Sequence, residues 1–563
     1  MKRLLIIFAI ALACSVAGTA AFRAASSADT SLSHFVPAGA LLYLEAKDFS
    51  SLLGDWNSSP QKHQWVESDS YEVFSRSRLF LRLKGAGDQF AAAAGLPPDM
   101  DFLTQVAGGR SAFAVYDIGK LQFLYITYLP SARSMQTNLW QTRAKFETRN
   151  SGGVNFYLRR DPESQREVAF AISGDYLLLA TREDLIAGAL QLISGQQQRT
   201  VKGEPWFAQS TAAAGQAGDL RMVLDMRSLV PNGYFRTYWV QQNITDLSHY
   251  SAAVSDLFRS RQQYREERVL VRKEERENAP SQEALAAVAD LSRLVPTTAG
   301  LYVASANPSA EECFDLLGTK ILAPHVGPIP GAQFAPQVQL TSGEQGSSTD
   351  LETRIDQPAA VNPAALQSGA ELKALLEKNP VLAALQAQSS SRDRAGVFVR
   401  THSAVILESA AAWNENAVES AVTEFVSPSL TAGRLGVSWS QQSWYRQLDG
   451  LWPIAVSVRG KYLIVSDDGT LMESVLANFD HVSQRKALEY FGGFNHQRER
   501  GNFTRFTSLI DRPSTGGDRH EPQFFSGNMA SLSATLADMS SEHIEIRSDE
   551  GVVRQTVTYE WSQ

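Results

Sequence analysis

VAFAISGDYLLLATREDLIAGALQLIS, residues Val168–Ser194, holds three elements in one stretch. Two apolar runs flank a Gly174-Asp175 turn signal, and a helical pattern follows, so the stretch predicts strand, turn, strand, helix. IAVSVRGKYLIVSDDGTLMESVLANFD, residues Ile454–Asp480, has the same order. Gly174 matches Gly460, Tyr176 matches Tyr462, and Leu177, Leu185 and Leu190 match Leu463, Leu471 and Leu476 at one constant offset with no gap. Leu185, Ile186, Ala189, Leu190 and Ile193 recur as Leu471, Met472, Val475, Leu476 and Phe479, one apolar stripe of a helix in each case. Thr181, with Asp184 three residues on, and Ser466 or Asp467 are the expected helix N-caps.

Working outward, further elements keep one order in both halves. VPAGALLYLEAKDFSSLL from Val36 and VPTTAGLYVASANPSAEECFDLL from Val295 each read as a proline-marked entry, a strand and a helix start. Their offset is shorter, so insertions separate the copies. RSAFAVYDIGKLQFLYITYL from Arg110 predicts a hairpin turning near Asp117 to Lys120, with RAGVFVRTHSAVILES from Arg394 as its counterpart. Helices are expected next, over Met135 to Phe146 and Ala417 to Phe425. LRMVLDMRSLV from Leu220 and FTRFTSLI from Phe503 are expected to close the halves. The expected fold class is α+β: two divergent copies of a unit with an antiparallel sheet and helices packed on one face.

The expected organisation is a signal peptide over 1–21, a first copy over 34–230, a charged connecting segment over 231–294 and a second copy over 295–510. A loop and C-terminal hairpin over 511–563 complete it, the hairpin turning at Asp549, Glu550 and Gly551. Pro324 to Asp350, rich in Pro, Gly, Gln and Ser, is expected to be a mobile loop. Arg259 to Glu277 mixes Arg261, Arg265, Arg268, Arg272 and Lys273 with Glu266, Glu267, Glu274 and Glu275, and the mixed signs predict a solvated helix or hairpin face.

Lys2 and Arg3, an apolar run from Leu4 to about Val16, and small residues at Ala17 to Ala21 have the three-part order of a secretory signal. Export to the periplasm or to the extracytoplasmic face of a membrane is the expectation. An uncleaved N-terminal membrane anchor is the alternative, since Leu4 to Phe22 just reaches a spanning length. Cys14 offers a lipid-acceptor position, but Ala11 and Leu12 fit such a site poorly. Cleavage would leave Cys313 as the one cysteine and no intramolecular disulfide, so stability must come from core burial. With 563 residues, 44% hydrophobic and 20% charged, the composition is that of a globular protein. A net charge of −8 gives no electrostatic footprint for nucleic acid.

No catalytic, cofactor-binding or metal-ligating residue is assigned. The chain lacks a G-x-S-x-G elbow, and its histidines (His34, His63, His249, His325, His402, His481, His496, His520 and His543) are not spaced as a zinc-protease helix requires. Asp99 with Asp101, and Asp467 with Asp468, are the best carboxylate pairs, and helix capping explains both better than metal or acid–base chemistry. The doublets Gly108-Gly109, Gly152-Gly153 and Gly492-Gly493 are expected in turns, without a phosphate-binding motif. The aromatic clusters Trp206-Phe207, Tyr234 to Trp239 and Trp444 to Trp452 are expected to fill cores rather than line a groove.

Three stretches resemble a family of exported bacterial proteins described only as a domain of unknown function. They are Pro37 to Tyr43, AAGLPPDMDFLTQVAGGRSAFAVYD from Ala93, and the Ser173-Gly174-Asp175-Tyr176 hairpin with its helix. The second half lacks a Leu-Pro-Pro-Asp-Met-Asp equivalent. The resemblance implies an envelope location and supplies no catalytic residues.

Two functions fit. One is a non-enzymatic envelope protein that binds a protein partner or a ligand of the cell envelope, with no cofactor. The other is a hydrolase-like enzyme whose site is assembled from residues distant in sequence.

Overall fold

The computed structural model describes residues 31–561, apart from 197–198, 237–246, 323–368, 393–398, 427–437, 449–452, 482–486, 502–538 and the single positions 68, 261, 275, 277, 278, 500 and 550. The signal segment, Cys14 and the expected loop at 324–350 lie outside the described residues. The chain divides into two compact units: Met1–Glu277 with Thr507–Glu542 and Ser548–Gln563, and Asn278–Phe506 with His543–Arg547.

In the first unit the strands are β1 (Leu42–Ala46), β2 (Ser111–Asp117), β3 (Gln122–Tyr128), β4 (Glu147–Ser151), β5 (Val154–Arg160), β6 (Glu167–Ser173), β7 (Tyr176–Ala180), β8 (Leu220–Asp225), β9 (Tyr250–Arg259) and β10 (Gln263–Arg272). They pair antiparallel in the order 4-5-6-7-3-2-1-8-9-10, and Val552–Trp561 pairs beyond β10. The second unit contains β11 (Leu301–Ala306), β12 (Val381–Arg392), β13 (Val399–Ser409), β14 (Trp439–Gln441), β15 (Arg446–Leu448), β16 (Ile454–Arg459), β17 (Tyr462–Ser466) and β18 (Tyr490–Phe494). Their antiparallel order is 14-15-16-17-13-12-11-18. This repeats the order of β4 to β8 in the first unit strand for strand. Register repeats as well: Ser173 faces Tyr176 as Arg459 faces Tyr462, and Leu124 faces Ala180 as Ala404 faces Ser466.

Alternation along the strands divides the side chains between two cores. Ala169, Ala171, Leu178 and Ala180 share a buried cluster with Leu185, Ile186, Ala189 and Leu190 of the helix Glu183–Ile193. Their neighbours Val168, Phe170, Leu177 and Leu179 point the other way, against Phe90, Ala93 and Ala94 of the helix Arg78–Ala94. The second unit sorts its residues alike. Ala455 and Ile464 join Leu471, Met472 and Val475 of the helix Gly469–Leu476. Ile454, Val456, Leu463 and Val465 join Val418, Val422 and Phe425 of the helix Glu415–Val426. Each fully buried Leu, Ile or Phe contributes roughly 1.5–3 kcal/mol. The α+β class with an antiparallel sheet stands, but the expected single helical face is corrected: helices cover both faces of each unit's strands, because both faces of these strands are apolar.

Other expectations change in detail. Gly174 and Gly460 open two-residue hairpin turns at φ +57° and +59°, as their sequence context suggests. The helix expected over Met135 to Phe146 is broken into short pieces, Ser131–Ser134, Asn138–Gln141 and Thr142–Lys145. The hairpin placed at Arg394 begins earlier, with β12 at Val381. FTRFTSLI from Phe503 lies outside the described residues, and β18 occupies the closing position. Gly492 and Gly493 are therefore strand residues, not a turn; a Cβ on Gly493 would stand 2.4 Å from the Tyr302 ring, so glycine permits a close approach there.

The connecting segment at 231–294 is also corrected. β9 and β10 are integral strands of the first unit, and the helix Gln282–Leu291 belongs to the second. Within the β9–β10 hairpin the charges are not all solvated. Glu266 is fully buried, accepting from Ser255 Oγ at 2.6 Å and from Arg268 Nε at 2.6 Å. A hydrogen-bonded cation and hydroxyl make that burial tolerable.

Candidate functional site

A cavity of about 850 Å³ opens in the first unit where four elements meet. The first is the helix Arg78–Ala94, which starts on the Ser77 cap and stops at Gly95 in the left-handed region, φ +74°. Arg82 and Gln89 lie two turns apart on one side of it and line the cavity. The second is the β2–β3 turn, closed by Asp117 Oδ1 accepting from Lys120 N at 2.9 Å. The third is the β5–β6 turn, where Asp161 Oδ2 accepts from Ser164 N at 2.8 Å. The fourth is the start of the helix Glu183–Ile193. Two of its turns hold non-glycine residues in the left-handed region, Leu121 at φ +50° and Gln165 at φ +55°, a strain of about 1–3 kcal/mol each.

Charge pairing gives the cavity its character. Each acid in the wall has an arginine: Glu167 pairs with Arg160, Glu183 with Arg149 at 2.9 Å, and Asp184 with Arg182 at 2.8 Å. Glu167 also accepts from Glu183 N at 3.0 Å. Arg82, Lys120 and Arg166 have no carboxylate partner among the described residues. Arg82 donates to the Gly119 carbonyl; Arg166 donates to the Lys120 carbonyl at 2.5 Å and to Gln89 Oε1 at 2.6 Å. Burial, and then the like charge of Arg82, push the Arg166 guanidinium below its ordinary value. Gln122, Ser164, Gln165 and Thr181 complete a hydrogen-bonding wall.

Sequence reading missed this site, because Arg82, Lys120 and Arg166 stand on separate elements and form no local motif. The second unit has a smaller cavity of about 450 Å³ on the helix Glu415–Val426, lined by Glu419, Thr423, Glu424 and Trp439 among others.

The residues singled out from sequence take structural positions. Asp99 Oδ1 caps the helix Met100–Val106 by accepting from Phe102 N at 2.9 Å, with Asp101 exposed in its first turn. The caps expected at Thr181 and at Ser466 or Asp467 are corrected. Thr181 Oγ1 accepts from Phe123 N at 2.8 Å instead, and Arg182 holds the N-cap position without a side-chain bond. Asp468 is the cap of the second helix, accepting from Leu471 N at 2.7 Å, while Asp467 accepts from Ser403 N at 2.7 Å. Cys313 is buried, and burial pushes its thiol up to about 12. Phe207 packs edge-on against Tyr43 in the core, whereas Trp444 and Tyr234 are exposed.

One constellation is assembled only by the fold. Ser391 Oγ lies 3.1 Å from His402 Nε2, and His402 Nδ1 lies 4.0 Å from Asp467 Oδ1 and from Asp468 Oδ2. Serine, histidine and carboxylate are in the order of a nucleophile, its base and an orienting acid. The 4.0 Å gap exceeds a hydrogen bond, both carboxylates already accept backbone N–H groups, and Ser391 is exposed. Neither cavity described above includes any of these four residues.

Among the described residues, no three His, Cys, Asp or Glu side chains converge to hold a metal ion, and no helix is long and apolar enough to cross a membrane. No family profile and no curated protein matches the sequence. Crystal forms I and III of TP0453 are among the solved structures that match, both at a TM-score of 0.24. Form I is 12% identical, covering 45% of this chain and 82% of that one; form III is 14% identical, covering 46% and 87%. At this TM-score the likeness is too loose to bear on function.

Proposed function

We propose that this chain is an exported protein of the cell envelope, built from two divergent copies of one α+β unit, that binds a ligand or partner without turning it over. The observation that carries the reading is the first-unit cavity: its acids are each paired with an arginine, and three cations and the remaining amide groups of Gln89, Gln122 and Gln165 are left to face a ligand. Such a wall holds and orients, and its Ser164 hydroxyl is engaged in closing the β5–β6 turn, donating to Asp161 Oδ2 at 2.5 Å. The matching strand order and register of the two units support the duplication, and the basic, apolar, small-residue order of Lys2 to Ala21 supports export.

A hydrolase is the second reading, favoured by the 3.1 Å contact of Ser391 with His402. Incubating the purified chain with ester, amide and phosphoester substrates separates the two. The binding reading expects no turnover above buffer. Turnover that His402→Ala abolishes, with folding unchanged, would overturn it.

A further inference from the structure

Arg82 and Arg166 donate to the carbonyls of Gly119 and Lys120, which are consecutive residues of one turn. Two guanidinium groups are thereby fixed close together, and Lys120, exposed on the same turn, also lines the cavity. Like charges this close repel, and the three carboxylates nearby are engaged elsewhere. The arrangement costs free energy in the empty protein and is offset when a concentrated negative charge enters. A carboxylate carries one charge on two oxygens. A phosphate monoester carries about −1.5 to −2 on three, which suits two planar forks and an ammonium better.

The remaining wall narrows the body that carries the phosphate. The Ser164 and Thr181 hydroxyls are held by Asp161 and by the Phe123 backbone, but Gln89 and Gln122 keep their amide Nε2 groups and Gln165 its amide oxygen for a ligand, and no aromatic ring lines the cavity on which a nucleobase could stack. Neutral donors and acceptors of this kind match hydroxyl groups. The volume of about 850 Å³ leaves room for a sugar-sized body.

We propose that this cavity binds a phosphorylated sugar or cyclic polyol, its phosphate held by Arg82, Arg166 and Lys120 and its hydroxyls by the amides of Gln89, Gln122 and Gln165. The assignment rests on the binding reading above and gives it a ligand class. The ligand is either free in solution or the headgroup of a lipid.

Calorimetric titration of the full chain tests this with glucose 6-phosphate, glucose and inorganic phosphate, and sedimentation tests it with vesicles carrying phosphatidylinositol 4-phosphate. The proposal expects saturable binding of the sugar phosphate, of the vesicles or of both, and little binding of glucose. Arg82→Gln and Arg166→Gln should each weaken binding about tenfold or more, corresponding to loss of a charge-assisted hydrogen bond. Arg133→Gln, an exposed arginine outside the cavity, should leave it unchanged. Binding to glucose 6-phosphate alone assigns a soluble ligand, and binding to vesicles alone assigns a headgroup. Wild-type affinity in the folded R82Q/R166Q double variant, or no binding of any phosphate probe, overturns the proposal. A partner captured from cross-linked envelopes that the double variant retains would then leave the binding reading standing. Absence of both ligand and partner would remove both.

Discussion

Arg82 and Arg166 grip adjacent carbonyls of the β2–β3 turn, so two cations share a cavity in which every acid is committed to another arginine. A site held ready for an anion carries a stability cost when empty. Arg82→Gln should therefore raise the melting temperature of the ligand-free chain by about 1–2 °C at 10 mM salt, where screening is weak, and leave it unchanged at 0.5 M. Scanning calorimetry at the two salt concentrations checks this. A fall in melting temperature at low salt would show that Arg82 is a stabilising contact instead.

Ile186 and Met472 occupy matching positions in the two units, both fully buried on the inner face of the helix that follows the inner hairpin. Ile186→Ala and Met472→Ala should each cost about 2–5 kcal/mol, through lost burial and the cavity left behind. Urea denaturation followed by tryptophan fluorescence measures it. A loss below about 1 kcal/mol at one site only would break the proposed equivalence.

How much of this was legible in the sequence depends on the range of the signal. The hairpin and helix at Val168–Ser194 were legible because apolar alternation, a Gly-Asp turn and a helical stripe all act within a few residues. The second apolar face was not anticipated: Val168, Phe170, Leu177 and Leu179 merge with their neighbours into continuous apolar runs, and a run does not say what covers each side. β9 and β10 read as a connector because their charges dominate the composition, while burial of Glu266 depends on Arg268 beside it and on Ser255 across the hairpin. The cavity was invisible for the same reason. Arg82, Lys120 and Arg166 are ordinary surface residue types until the fold brings three separate elements together.

Asp467 links stability to pH. Burial, only partly opposed by Ser403 N and His402, raises its carboxyl above the ordinary carboxylate value. The folded state thus resists ionisation: the stability tied to the protonated form is complete below the unfolded value and is lost as pH rises through the folded one. Asp467→Asn keeps an oxygen for Ser403 N and removes the buried charge. The variant should melt higher than wild type at pH 7 and match it near pH 3. The opposite order at pH 7 would show that the charge on Asp467 is needed.

Cys313 sits in the second-unit core with its thiol raised to about 12 by burial. Burial keeps the thiol protonated and out of reach, so a thiol reagent at pH 8 should not modify Cys313 in the folded chain and should do so on unfolding. Mass spectrometry of the peptide containing Cys313, labelled with iodoacetamide before and after urea, reads this. Rapid labelling of the native chain would show the core open at that point.

The most direct test of the proposed binding function is capture of the tagged full chain from mildly cross-linked envelopes, beside an unrelated tagged envelope protein. The binding reading predicts one reproducible, saturable protein or lipid species, recovered chemically unchanged. Nothing above the control, together with turnover of a substrate by the purified chain, would contradict it.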